Sequence, residues 1–403
     1  MDREHDDLDA FRLEVREWMR REAPAKGSTD DFSAAHVERA DTYEAFERLS
    51  GEMIGKVTAW QRRLDDVGWG ALGWPGRYGG RGPQFQKVLA EEQAAVGVTT
   101  KPLSIGVDMV GPTLIAHGTD GQCRRYLAPI RRGDEVWCQL FSEPEAGSDL
   151  PSLRMMADRV GDAWNLRGQK LWTSGGSFSN FGLALARTDR SEPRHAGISA
   201  FIVDMSDPGV EVRPLRQMSG AFHFNEVFLN DVLVPDSGLV GELHGGWDVA
   251  RTMLHNERSA LGGGTSAGSP EALIELARQM GRTDDPVIRA LLAELTGRAS
   301  VLQWTLRRAE VPGGERLGGL VKLLYSDHAR RMTDAAVTLL GPRGIAWPAP
   351  ADIGGDSTQW VDRFLFAPGL RIAGGSDEIQ RNTIGERLLG LDREPPMITA
   401  QQN

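Results

Sequence analysis

The chain has 403 residues, room for roughly two to four domains at 100–200 residues each. Hydrophobic residues at 40% and charged residues at 25% are ordinary globular values, while 48 glycines, about 12%, ask for many tight turns; disorder and collagen-like structure are excluded. The 46 basic and 56 acidic side chains leave a net charge of −10, which repels phosphate backbones, and with no concentrated basic patch no nucleic-acid partner is expected.

The opening MDREHDDLDAF is acidic and lacks an apolar h-region, so neither a signal peptide nor a transit peptide is expected. No 18-residue apolar run spans a bilayer, and Cys123 and Cys138 match neither a disulfide framework nor a zinc or CxxC spacing. The expectation is a cytoplasmic protein with no membrane and no metal. Leu8, Phe11, Val15 and Trp18 recur at helical spacing, as do Tyr43, Phe46, Leu49 and Met53, followed by Trp60, Leu64 and Val67. Breaks fall at Gly27–Ser33 and in WPGRYGGRG, after which VLAEEQAAVG resumes a helix.

From about Gly133 the period changes to two, in AWNLRGQKLWTS, FGLALART, GISAFIVDM, VEVRPLRQ and FNEVFLNDVLVP. Near Trp247 helical spacing returns through Leu273, Leu276 and Met280, then Leu291, Leu295, Leu302 and Leu306, then Leu320, Leu324, Met332 and Leu339. Helices, strands, helices in that order predict an α+β protein: an N-terminal helical domain over 1–133, a β domain over 134–240, a helical domain over 241–392 and a loose tail over 393–403.

Two common expressions fail on context. Gly262, Gly264 and Ala267 fit GxGxxA, and Gly264, Ser266 and Gly268 fit GxSxG, but the preceding TMLHNERSAL is charged and helical where either motif needs a buried strand. A closely packed helix with small residues is the expectation there. The eight histidines form no HExxH, and no phosphate loop occurs. SEPEAGSD concentrates hydroxyls, a glycine and backbone N–H groups at a strand end, which suits either the polar edge of a planar cofactor or an ordinary capped turn. The tryptophan of KLWTSGG reads equally as a core residue or a cover for an aromatic ring.

QLFSEPEAGSDL, KLWTSGG, FNEVFLNDVLVP and IAGGSDEIQRNTIGERLLG occur in that order, and with WPGRYGGRG they resemble the acyl-CoA dehydrogenase family of flavoproteins over nearly the whole chain. The resemblance implies an N-terminal helical domain, a central β-barrel-like domain and a C-terminal four-helix bundle. It implies FAD as cofactor, with Phe141, Ser142, Gly147 and Ser148 contacting flavin and acyl-CoA, Trp172, Thr173 and Ser174 at the flavin, and Ser376 and Glu378 at its adenosine half. FNEVFLNDVLVP is scaffold. The family reaction takes an α-proton from an acyl-CoA thioester and a β-hydride to FAD, giving a trans-2-enoyl-CoA.

Many members carry the base in a Tyr-Glu-Gly-Thr string; the matching residues here are Ala373, Gly374, Gly375 and Ser376, so Gly374 offers no carboxylate. A second branch places it in a Glu-Arg pair of a later helix, and MLHNERSAL supplies Glu257 as the expected base with Arg258 beside it. Ser148, Arg258 and Gly374 are the expected substrate neighbours, the glycine widening the pocket for larger or branched acyl groups. The family strings that bind a neighbour's FAD are altered, ARQMGRTDDPV lacking Phe-Gly and TLLGPRG having Thr338 and Pro342 at the Gln and second Gly places. The chain is therefore expected in a homotetramer or in a heterotetramer with a paralogous subunit, reoxidised by an electron-transfer flavoprotein or by dioxygen. A silent partner subunit is the alternative; a DNA-associated relative is opposed by the net charge.

Overall fold

In the computed structural model, residues 2–25, 28–32, 43–192, 194–261, 268–309, 311, 313–345 and 356–393 are described. Gly262, Gly264, Ser266 and Ala267, and the tail beyond residue 393, lie outside them. The chain divides into two units, Met1–Glu257 and Arg258–Asn403.

The first unit begins with α1 (Asp2–Glu22), which buries Phe11, Val15, Trp18 and Met19, and α2 (Tyr43–Asp66), which buries Val57, Trp60 and Leu64. These are the i, i+3/i+4 positions of amphipathic helices. Val67, expected on the α2 stripe, is exposed just past the helix end. Gly68, at φ +80°, turns the chain left-handed there, and the amides of Gly68 and Trp69 bond back to Asp65 and Leu64. This double closure is a Schellman-type stop that only a residue tolerant of positive φ makes cheaply. The Trp74 indole of the WPGRYGGRG break donates to the Val107 carbonyl at 2.7 Å. Proline opens α3 (Pro83–Val96), where Glu92 receives Arg12 and Arg16 of α1. A π-helical turn over Ile105–Val110 then leads into α4 (Gly111–His117). Thr119 and Gln122 form a capping box at α5 (Asp120–Arg132).

The strands are β1 (Trp137–Leu140), β2 (Met156–Val160), β3 (Ala163–Ser174), β4 (Phe181–Arg187), β5 (Ile198–Asp204), β6 (Val210–Leu215), β7 (Phe224–Pro235) and β8 (Leu239–Val240). They form one sheet in the order β6-β7-β3-β2-β4-β5-β8, with β1 joined in parallel to β4. β1, β2 and β8 were not among the sequence-read strands: β1 is buried along most of its length and β8 is two residues long, so neither shows a period. α6 (Gly246–Leu261) closes this unit by setting Val249, Ala250 and Met253 into the core of the N-terminal helices.

The second unit contains α7 (Pro270–Gln279), α8 (Pro286–Ala309), α9 (Gly318–Leu340), α10 (Asp356–Leu370) and α11 (Asp377–Thr383). Leu273, Leu276, Leu295, Met332, Leu339 and Trp360 share one core. The buried stripe of α9 runs through Val321, Tyr325 and Ala329, one residue on from the expected Leu320 and Leu324. Ala329, Ala335 and Ala336 lie on that buried face, and leucine spacing alone does not report it. Among the described residues no helix is long and apolar enough to cross a membrane, and no cluster could hold a metal ion.

Candidate active site

The SEPEAGSD segment leaves β1 as a tight turn closed by reciprocal backbone bonds between Glu143 and Ala146, both 3.1 Å. Phe141 is buried, Ser142 is half-buried, and Gly147 and Ser148 stand exposed at the outer limb. Open space surrounds Gly147 where a side chain would project. The turn is held from inside. Glu143 is buried and receives the amides of Arg154 at 2.6 Å and Met155 at 3.0 Å, while the Lys170 ammonium donates to Glu143 at 2.8 Å and to the Phe141 carbonyl at 3.0 Å. Burial pulls the Lys170 ammonium below the ordinary lysine range, and Glu143 opposes that pull. Neither residue was singled out from sequence. The signal existed: Lys170 lies in phase with the inward Trp164 and Leu166 of β3, so alternation alone puts a charge inside.

Two residues beyond Lys170 the strand is irregular. Its pairing with β7 steps from Lys170/Val227 to Thr173/Asn225, three positions against two, so one residue bulges. Trp172 sits in that bulge at φ +60° with 58% of its surface exposed, and it meets Phe224 edge-on at 5.7 Å. A bulky side chain held left-handed in the open is strained backbone serving presentation of an indole. Thr173 turns inward, 1% exposed, and its hydroxyl has no partner; the side-chain nitrogen of buried Asn225 has none either. Ser174 ends the strand half-buried. Unpaired buried polar atoms are rare and point to a group outside the chain. An open indole face beside unsatisfied polar atoms fits a flat heteroaromatic ring with a polar edge.

Glu257 lies on α6. Ala250, Met253 and Glu257 are spaced i, i+3, i+7, so the carboxylate continues the buried stripe of the helix, and it is half-buried. Asn256 donates to the Met109 carbonyl at 3.4 Å, and Thr252 meets His117 at 2.7 Å, which seats the helix on the turn Ile105–Val110 and on α4. The Arg258 side chain lies outside the described residues.

In the second unit, Gly374 and Gly375 take φ +65° and +85° ahead of α11. Gly374 is buried, and its carbonyl accepts from Gln380 at 2.9 Å. A side chain at Gly375 would come 2.6 Å from the Gln380 amide. The turn is therefore built for glycine, and a carboxylate at 374 would be strained. Ser376 caps α11, its hydroxyl accepting from Ile379. Glu378 points outward and pairs with Arg381 at 3.4 Å. Asp377, which from sequence reads with Ser376 as a candidate helix cap, is instead buried and receives Lys322 at 2.9 Å, Ser326 at 2.8 Å and Arg371 at 2.7 Å.

The chain matches three family models: acyl-CoA dehydrogenase N-terminal domain over residues 5–134, middle domain over 138–232 and C-terminal domain over 244–389. It belongs to the acyl-CoA dehydrogenase family. It is 38% identical over 398 residues to acyl-CoA dehydrogenase IpdE1 of Mycobacterium tuberculosis, covering 96% of this chain and 99% of that one. Among solved structures it is similar to the Tcur3481-Tcur3483 steroid ACAD, with 27% identity, a TM-score of 0.79 and coverage of 96% and 98%. It is also similar to the ChsE4-ChsE5 complex from Mycobacterium tuberculosis, with 28% identity, a TM-score of 0.74 and coverage of 96% and 98%.

Proposed function

We propose that the chain is a subunit of an FAD-dependent acyl-CoA dehydrogenase that converts an acyl-CoA thioester to its trans-2-enoyl product, with Glu257 as the base. Bound FAD supplies the acceptor for the β-hydride. Trp172, Thr173 and Ser174 would hold its ring, with Phe141, Ser142, Gly147 and Ser148 beside it and Ser376 and Glu378 at its adenosine half. Glu257 accepts the α-proton. A carboxylate on the apolar stripe of α6 loses solvation when an acyl chain covers it, which strengthens it as a base.

The observation that carries this reading is the continuity of Glu257 with Ala250 and Met253 on the buried face; separately, the turn at Gly374 disfavours any side chain there. Glu257→Gln keeps the shape of the side chain and removes its basicity. In the assembled enzyme, with an artificial electron acceptor, kcat is expected to fall by roughly 10²–10⁴-fold while acyl-CoA still binds. Full turnover of this variant in the assembly would overturn the assignment and favour a silent partner subunit.

A second reading concerns assembly. The similar Tcur3481-Tcur3483 and ChsE4-ChsE5 structures each pair two differently named proteins, and this chain has Thr338 and Pro342 where the family's cofactor-sharing string has Gln and Gly. On this reading the chain works in a heterotetramer with a paralogous subunit, acts on a bulky acyl group and is reoxidised by an electron-transfer flavoprotein. One FAD per chain in a stable homotetramer would count against it.

A further inference from the structure

The WPGRYGGRG break contributes no residue to the candidate active site, yet its shape is tightly set. Its Trp74 indole is bonded to the Val107 carbonyl, and a side chain at Gly80 would collide with the Trp74 carbonyl. Arg131 of α5 reaches Asp65 at 2.6 Å and donates to the Tyr78 carbonyl at 3.3 Å, which ties the turn Gly76–Tyr78 to α2 and α5. Between this turn and α5 lies an open groove of about 390 Å³. Small-molecule sites run from roughly 300 to 1,000 Å³, so the groove has room for a compact ligand.

Positive charge gathers here against the trend of a chain whose net charge is −10. Arg77, Arg124 and Arg131 line the groove, with Asp120 as its single carboxylate. Arg131 is satisfied by Asp65. Arg77 and Arg124 are exposed, one on the turn and one on the helix, and neither guanidinium has a hydrogen bond or ion pair among the described residues. Arg77 lies instead over the Tyr78 ring, 4.9 Å from its centroid. Asp120 and Arg124, four apart on α5, have the spacing of an ordinary helical ion pair, and they leave it open. Buried Trp74 and Leu127, with the half-buried Tyr78, give the groove an apolar side.

We infer that this groove is a second ligand site, for a small monocarboxylate with a flat apolar body. It lies outside the proposed dehydrogenation chemistry and does not rest on it. A guanidinium presents a planar fork of donors that matches the two oxygens of a carboxylate, and here two such forks stand without an internal partner. The apolar body would lie against Trp74, Tyr78 and Leu127. Asp120 sets the charge: a single negative group leaves the arginines in excess, whereas a dianionic phosphate meets stronger repulsion from that carboxylate. Because the turn is fixed by Trp74, Gly80 and Arg131, the groove is formed before the ligand arrives, which spares the cost of ordering it.

The test is calorimetric titration of the intact holoenzyme with three probes: naphthoate, its neutral counterpart naphthalenemethanol, and naphthyl phosphate. The wild type is expected to bind naphthoate roughly tenfold or more tightly than the alcohol, and more tightly than the phosphate. Arg77→Gln and Arg124→Gln remove exposed side chains with no partner to lose, so thermal unfolding should not move. Each should weaken naphthoate by roughly threefold or more and leave the alcohol unchanged. Ala128→Trp fills the groove without altering its charge and should abolish naphthoate binding. Naphthoate affinity that survives all three substitutions places the acid elsewhere and overturns the inference. No detectable naphthoate binding, or equal affinity for acid and alcohol in the wild type, overturns it as well, and tighter binding of the phosphate overturns the choice of a monocarboxylate.

Discussion

The Lys170 ammonium lies 2.8 Å from a carboxylate oxygen of Glu143, with 0% and 7% of the two side chains exposed. This pair ties the strand that presents Trp172 and Thr173 to the SEPEAGSD turn, and the backbone bond from Leu171 to the Ser142 carbonyl at 2.8 Å runs beside it. The two segments that carry the expected flavin contacts are tied to each other by this pair and this bond.

Lys170→Met would leave Glu143 buried with two backbone donors and no countercharge. Breaking a buried pair from one side costs about 3–5 kcal/mol. Denaturant unfolding should show that loss, and FAD retained through gel filtration should fall with it. A Lys170→Met/Glu143→Leu double variant should recover part of the stability, since no isolated charge remains. A single variant within about 1 kcal/mol of the wild type would show that the pair is not what holds the turn.

Trp172 separates stability from function in the opposite direction. At φ +60° a glycine is at ease and a tryptophan is strained, and the exposed indole gives little burial in return. Trp172→Gly should therefore change unfolding free energy by no more than about 1 kcal/mol, the strain relieved offsetting the edge contact with Phe224. The flavin absorption band and its fluorescence should shift in the same variant, with Trp172→Phe intermediate. A large loss of stability with an unchanged flavin spectrum would make Trp172 a packing residue.

The legible parts of the fold were those with a clean period. β3 and β7 match the strings read from alternation, and α1 was visible in Phe11, Val15 and Trp18. What escaped has physical causes. β1 is covered along most of its length and shows no alternation, and the α9 stripe uses alanines that leucine spacing overlooks. At the site, resemblance directed attention to exposed and small residues such as Ser148 and Gly374. The charges that hold them, Lys170, Glu143 and Asp377, read in one dimension as ordinary polar residues of a turn or strand.

Asp377 gives the C-terminal unit an acid-sensitive lock. Burial alone would raise its carboxyl, but donors from Lys322, Arg371 and Ser326 outweigh that and hold it below the ordinary carboxylate range. A carboxylate with a depressed folded value contributes stability that is fully present above its unfolded value of about 3.9 and is lost as pH falls through the folded one. Unfolding of the full-length chain, followed through the buried Trp360, should lose stability below about pH 4 from this source. In Asp377→Asn the contribution is absent at every pH: Lys322, 5% exposed, keeps a neutral neighbour in place of a countercharge. The variant should be less stable by about 3–5 kcal/mol at pH 7, and its profile should be flatter between pH 5 and pH 2. Parallel acid profiles for wild type and variant would place the acid sensitivity elsewhere and leave Asp377 as a simple helix-start residue.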